Sequence, residues 1–182
     1  NDQRVGGSGI PVVDPIIFQT INVGRARISG FEFKGELDWT TDGRGFSLPF
    51  SYGETRGRDT LTNLPLNSIE PRKITVGLNY KAPAWSVGLA AVHHAAKDGS
   101  DIDATEVSAP SVQFRTPSAT TLDLNGQWRI RKDLRLNMAV VNLTDKKYWN
   151  WSDVRGIAST SAVLDAYTQP GRHFNVSLVM DF

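Results

Sequence analysis

The chain has 182 residues, with 20 Lys+Arg against 19 Asp+Glu and no cysteine. A net charge of +1 excludes the large basic field of a nucleic-acid binder, and the missing thiols exclude disulfides, thiolate metal sites and thiol catalysis. The apolar fraction of 40% is low for a packed globular core, and no apolar run approaches the ~18 residues of a membrane helix.

The periodicity along the chain is two, not 3.6. After a Gly-rich opening (Gly6, Gly7, Gly9) that reads as a loop, a first strand is expected around 16–21, followed by a tight turn at 22–25. Phe31, Phe33, Gly35, Leu37 and Trp39 then alternate with Glu32, Lys34, Glu36 and Asp38. Beyond the turn Thr41-Asp42-Gly43-Arg44 come Phe46, Leu48, Phe50 and Tyr52. Ile74, Val76, Leu78 and Tyr80 form the next set, and Trp85, Val87, Leu89 and Ala91 the one after it. Leu122, Leu124, Gly126, Trp128 and Ile130 alternate with Asp123, Asn125, Gln127 and Arg129. Leu134, Leu136, Met138 and Val140 follow, and the chain closes on Phe174, Val176, Leu178, Met180 and Phe182. This makes about eight antiparallel strands in an all-β chain.

The connections differ at the two ends of these strands. Short turns lie at 40–44, 81–84 and 131–133, and long polar connections at about 58–71, 97–117 and 147–171. Outer-membrane barrels have this asymmetry, with short periplasmic turns and longer external loops. Trp39, Phe46, Tyr80, Trp85, Trp128 and Phe182 all fall beside a short turn or the terminus, on the apolar set. They read as a periplasmic aromatic girdle, where an amphipathic ring has one apolar and one wet end. Tyr52, Tyr148, Trp149, Trp151 and Phe174 fall toward the other level. A soluble barrel would turn the same apolar face inward, but it explains neither the girdle nor the loop asymmetry. The apolar face is therefore expected to meet lipid and the charged face a wet or plugged lumen. The lumen face carries many small residues, among them Ser47, Ser51, Gly53, Gly77, Ser86 and Gly88, as expected of a sheet of low curvature from a wide barrel.

The segments Asn142-Leu-Thr-Asp-Lys-Lys-Tyr148-Trp149-Asn-Trp151, Tyr167-Thr-Gln-Pro170-Gly171-Arg172 and the alternating terminal strand resemble the C-terminus of TonB-dependent outer-membrane receptors. Asn22-Val-Gly-Arg-Ala-Arg-Ile-Ser-Gly30-Phe-Glu32 and Leu66-Asn-Ser-Ile-Glu-Pro71-Arg72 resemble strand and loop signatures of the same family. The Tyr-Trp-x-Trp and Tyr-Thr-Gln-Pro-Gly-Arg pieces are similar to its haem and haemoglobin branch. The resemblance implies that residues 1–182 are the C-terminal part of a transmembrane β-barrel of about 22 strands with a plug, the plug and TonB box lying outside this sequence. It implies residence in the bacterial outer membrane and uptake of haem from haem or haemoproteins. The partners it implies are membrane lipid, a haemoprotein at the external loops, the TonB complex through the N-terminal part, and the barrel-assembly machinery. Phe174, Val176, Leu178, Met180 and Phe182 would then serve as the assembly signal. Other readings are a siderophore or cobalamin receptor, or a self-contained eight-stranded structural or adhesive barrel.

Few residues suggest chemistry. Haem takes His or Tyr as axial ligands, which singles out His93 and His94 at the upper end of a strand, one of which must face the lumen. Neither sits in the family's haem-ligand motifs. His173 reads as a strand start. Asp98, Asp101, Asp103 and Glu106 crowd one connection without EF-hand spacing and read as a solvated acidic loop. The Asn-x-Ser/Thr matches at Asn142, Asn150 and Asn175 read as coincidences. No catalytic residues, resident metal or intrinsic cofactor are expected, and a Ser/His enzyme has no spacing to support it.

Overall fold

The computed structural model describes residues 24–106 and 112–181, together with the backbone of two short strands, β1 (Asp2–Arg4) and β2 (Phe18–Thr20). β1 and β2 pair with each other in a separate two-stranded ribbon. Of the expected first strand at 16–21, Phe18–Thr20 form β2, which pairs with β1 and not with the main sheet; positions 16, 17 and 21 lie outside the described residues.

The main sheet is a seven-stranded antiparallel meander in chain order: β3 (Ala26–Asp38), β4 (Gly45–Asp59), β5 (Lys73–Lys81), β6 (Trp85–His94), β7 (Ala119–Arg131), β8 (Leu134–Val141) and β9 (His173–Met180). β3 and β9 are its edges and do not pair with each other, so the sheet is open. The short ends are tight hairpins. Asp42 and Gly43 both take positive φ, 51° and 74°, inside the bridge Thr41↔Arg44. An Asp-Gly pair suits this two-residue turn, whose twist matches that of its strands.

Register assigns the faces, because directly opposed residues point the same way. Phe33↔Tyr52, Tyr52↔Ile74, Val76↔Ala91, Leu89↔Leu124, Trp128↔Leu136 and Leu136↔Leu178 carry one apolar face across the whole sheet. Lys34↔Ser51, Ser51↔Thr75, Asn79↔Gly88, Gly88↔Asn125, Gln127↔Asn137 and Asn137↔Ser177 carry the polar one. The polar face has its own ladder: Gln127 Nε2 donates to Asn137 Oδ1 (2.9 Å), and Asn137 Nδ2 to Ser177 Oγ (3.2 Å).

β3 and β4 run further than their alternation, to 13 and 15 residues. The extension pairs Ala26–Gly30 with Thr55–Asp59, where, Ile28 apart, both faces are polar or small. Backbone pairing continues there without an apolar face to mark it.

Among the described residues, no apolar core underlies the sheet. Among the described residues, the buried apolar side chains are Ala119, Trp151 and Val154, all at the end where the long connections lie. Val76, Trp128 and Leu178 are 44%, 49% and 62% exposed. Side chains of this size left uncovered in seven adjacent strands need an apolar surrounding other than the protein.

Candidate functional site

Two regions carry the side chains of interest: the two faces of the sheet, and a cap woven from the long connections. At the short-turn end, five of the six expected girdle aromatics form a row on the apolar face. Trp39 donates its backbone N–H to Phe46 O. The Phe46 and Tyr80 rings lie 4.8 Å apart and Tyr80 and Trp85 5.3 Å apart, and Trp85 opposes Trp128 in register. Offset, tilted ring pairs at these distances attract beyond the area they cover. On β9, Phe174, Val176, Leu178 and Met180 share the apolar face and are exposed. Phe182 lies outside the described residues.

The cap is built by the connections at 60–72, at 95–106 with 112–118, and at 142–172. The short helix α1 (Trp151–Val154) plugs its centre, with Trp151 and Val154 essentially fully buried. Trp151 Nε1 donates to Asn67 O at 2.7 Å. Asn67 Nδ2 donates to Asp103 O, and Asp103 N donates back to Asn67 Oδ1. Lys97 reaches over the Trp151 ring, 5.0 Å from its centroid, and donates to Ile69 O at 2.7 Å. Burial pushes the Lys97 ammonium below its ordinary pKa, against the opposing pull of Asp101 and Glu70. Gln113 receives Gly156 N–H and bridges to Ala158, and Phe114 stacks edge-on against Trp149 at 5.2 Å. The three connections therefore share one hydrogen-bonded interior.

This corrects two expectations. Asp103 is not part of a solvated acidic loop: it is 7% exposed, and its carboxylate accepts from Thr105 N and Oγ1. Trp151 is core rather than part of an outer aromatic level, and Trp149 and Tyr148 also turn into the cap; of the upper set, Tyr52 and Phe174 share the apolar face.

The Asn-Leu-x-Asp-Lys segment is where the cap is tied to the sheet. Asn142 follows the last residue of β8 with φ at +52° and is 2% exposed. Its Nδ2 donates to Lys146 O and Pro170 O, its Oδ1 receives Lys146 N–H, and its own N–H donates to Asp123 Oδ1. Asn tolerates the left-handed region better than most residues and carries both donor and acceptor. Asp145, at φ +52°, accepts from Arg172 N, and a Cβ on Gly171 would meet Asp145 Oδ1 at 2.7 Å. The two motif segments thus lock together and aim the chain into β9.

The adjacent histidines diverge. His93 opposes Ile74 and Thr120 on the apolar face, its Nδ1 2.9 Å from Thr120 Oγ1. His94 opposes Lys73 on the polar face, and its ring lies 5.3 Å from that of Tyr148. Burial, and after it the Asp123 carboxylate, raises the Tyr148 phenol above its ordinary pKa. His94 is the member of the pair that faces the interior; His93 points away from it. His173 begins β9 and bonds Gly171 O, as expected. A cleft of about 300 Å³ opens beside the strand ends at 54–58, walled by Arg56, Arg58, Arg72 and Lys97 and by Glu54, Glu70, Asp98 and Asp101, so its charges cancel. Asn142 is sealed in the cap, so the side-chain amide of its Asn-x-Thr match is out of solvent although Thr144 is exposed.

Comparison with known proteins decides the family. Residues 1–143 match the model of the TonB dependent receptor-like β-barrel. The chain belongs to that family. It is 34% identical over 187 residues to the hemoglobin-binding protein A of Haemophilus influenzae, a match covering 91% of this chain and 18% of that protein. It is 28% identical over 194 residues to the hemoglobin-haptoglobin utilization protein B of Neisseria meningitidis serogroup A, covering 96% of this chain and 24% of the relative. Among solved structures, the copper transporter OprC superposes with a TM-score of 0.71 at 23% identity, covering 86% of this chain and 24% of that one. A ferric enterobactin receptor from Pseudomonas aeruginosa superposes with a TM-score of 0.68 at 21% identity, over 98% and 26%. These likenesses show the barrel fold. The chain spans about a fifth of the length of the curated relatives it matches. The family consists of receptors and transporters of the outer membrane, not of enzymes.

The cap was the part that sequence reasoning missed. Trp151, Asn67, Gln113 and Lys97 lie far apart in sequence and carry no periodic signal. The one available hint was the density of Trp and Tyr at 148–151 in an otherwise polar connection.

Proposed function

We propose that this chain is the C-terminal wall of an outer-membrane receptor that takes haem from haemoproteins, by binding and gated passage rather than bond chemistry. The observation that carries this reading is the match, over 91% of the chain, to proteins named for haemoglobin binding. The geometry fits it in three ways. The apolar face supplies a lipid-facing wall with the Trp39–Trp128 row at the periplasmic level. The two open edges, β3 and β9, need further strands, because an unpaired edge in hydrocarbon leaves several backbone groups unsatisfied. The cap fixes the external connections as a rigid surface on which a haemoprotein can dock.

Within this reading, haem is the transported ligand and His94, beside Tyr148, contributes to the interior wall. β9 with its exposed row Phe174, Val176, Leu178 and Met180 serves the assembly machinery, and contact with the TonB complex belongs to the N-terminal part of the receptor. The test is a haem and haemoglobin titration of the full-length receptor in detergent. A Soret change with haem and retention on immobilised haemoglobin are expected, with haem affinity lowered several-fold in H94A and unchanged in H93A. Absence of both signals at micromolar concentration overturns the haem assignment. Retention on immobilised transferrin instead would favour the second reading, for which the 26% identity to the transferrin-binding protein A of Neisseria meningitidis is the specific observation; identity there is given by a match over 192 residues.

A further inference from the structure

Each connection of the cap is bonded to both of the others. The first, at 60–72, meets the second, at 95–106 with 112–118, through Lys97 Nζ on Ile69 O at 2.7 Å and through the two hydrogen bonds that Asn67 and Asp103 exchange. It meets the third, at 142–172, through Trp151 Nε1 on Asn67 O and Ser152 N–H on Glu70 Oε1, both at 2.7 Å. The second and third lie side by side as a short extended pair. Gln113 stands opposite Ala158, Phe114 N–H donates to Ile157 O at 2.8 Å, and Ser159 N–H to Val112 O at 2.6 Å. The triangle is closed, so no connection can swing out without breaking two of its sides. The sheet holds it from below: Leu66 N–H donates to Gly57 O at 2.9 Å, and Leu143 N–H to Leu122 O at 2.7 Å.

A gate needs two arrangements of similar free energy and a few backbone positions that absorb the change between them. Segments that open readily bury few side chains and leave their backbone hydrogen bonds in water. The cap does the reverse. Trp151 and Val154 sit sealed at its centre, where Asn67 and Asp103, both buried, satisfy each other. Lifting out the third connection would uncover Trp151 and leave buried polar groups without partners, which costs more than the loss of an exposed hydrogen bond. Two glycines that could act as hinges are pinned as well. A Cβ on Gly99 would meet the Arg115 guanidinium at 2.6 Å, so that side chain lies across it. Gly156, at φ +85°, has its N–H held by Gln113 Oε1 at 3.1 Å.

We propose that the cap is the immobile half of the receptor's entrance. Its three connections stay locked to one another through capture and passage, and the movement that admits the ligand belongs to parts of the receptor outside the cap. This rests on the reading of the chain as part of an outer-membrane receptor, and it adds where the gate lies. A locked half offers a docking protein a surface that is already ordered, so binding costs less conformational entropy. It also confines the two-state element to the remainder of the barrel mouth.

The test locks the cap covalently in the full-length receptor; this chain contributes no competing cysteine. Q113C/A158C joins the second connection to the third at their bridge by a disulfide, and E70C/S152C joins the first to the third through a short thiol-reactive cross-linker. Uptake of haem from haemoglobin by cells carrying each variant is expected to agree within about twofold between the cross-linked and open forms. A larger fall on cross-linking overturns the proposal. Failure of Q113C/A158C to form its disulfide also overturns it, because the two connections would then not be held side by side. Amide hydrogen exchange of the receptor without ligand probes the lock independently of transport. The amides of Phe114, Gly156 and Ser159 should exchange within about tenfold of those of β8. W151A should speed exchange in all three connections together by about a hundredfold, while the sheet keeps its heat-resistant form on a gel. Acceleration confined to 142–172 would mean three independent loops and would sink the idea. A wild-type receptor that takes up no haem while these amides stay protected would remove the haem reading and leave the fixed cap standing.

Discussion

Asn142 shows how much one side chain does here. It closes β8, holds a positive φ, and through its amide joins Lys146 and Pro170, 28 residues apart from it at the longest reach. Removing it leaves buried groups unsatisfied, at about 1–3 kcal/mol each. N142A should therefore lower the urea midpoint of the full-length receptor by the equivalent of about 3 kcal/mol. N142D, which keeps the acceptor for Lys146 N, should lose less. Lys97 makes a pH-dependent contribution. Its folded pKa is depressed by burial, so between that value and the unfolded 10.5 the unfolded chain binds more protons. Stability from this group therefore rises with pH through that window. Urea midpoints at about pH 8 and pH 10 should show this increment in wild type and not in K97M. The sequence marked Asn142 through its motif, but gave no reason for it; the reason is the meeting of two segments that chain order separates. Lys97 carried no mark at all, because a lysine in a polar loop is ordinarily solvated.

At the level of the strand, alternation made the assignments readable, and it made β9 the clearest of them. Val176 opposes Met138 on the apolar face, while Ser177 opposes Asn137 on the polar one. A lysine on a lipid-facing midplane position costs about 2–4 kcal/mol, whereas the polar face tolerates one. V176K should thus reduce folding into phospholipid vesicles sharply and S177K hardly at all, read by the gel shift of heat-treated against unheated protein. Equal effects would mean that the two faces meet similar surroundings. Where alternation stopped, so did legibility: the upper halves of β3 and β4 pair through Ala26↔Asp59 with no apolar row to announce them. Tight turns were equally readable, since Asp42-Gly43 provides the positive φ that its hairpin demands.

The whole molecule is an open arc with a cap, and its lack of cysteine allows pairing to be read directly. N137C/S177C should form a disulfide in the full-length receptor, because those positions are register partners with side chains already in hydrogen-bond contact. E32C/S177C, on the two edge strands, should not. A cross-link there would restore the small closed barrel. The fold class, the inward and outward faces, the short-turn end and the family were determined by the sequence alone, because strand alternation, turn chemistry and linear motifs are local properties of neighbouring residues. The tertiary structure decided which histidine faces the interior, that β3 and β9 stay apart, and that three polar connections share an interior around Trp151. Each of these depends on register or on contacts between residues distant in the chain, and a linear pattern does not encode which distant strand or loop will lie alongside.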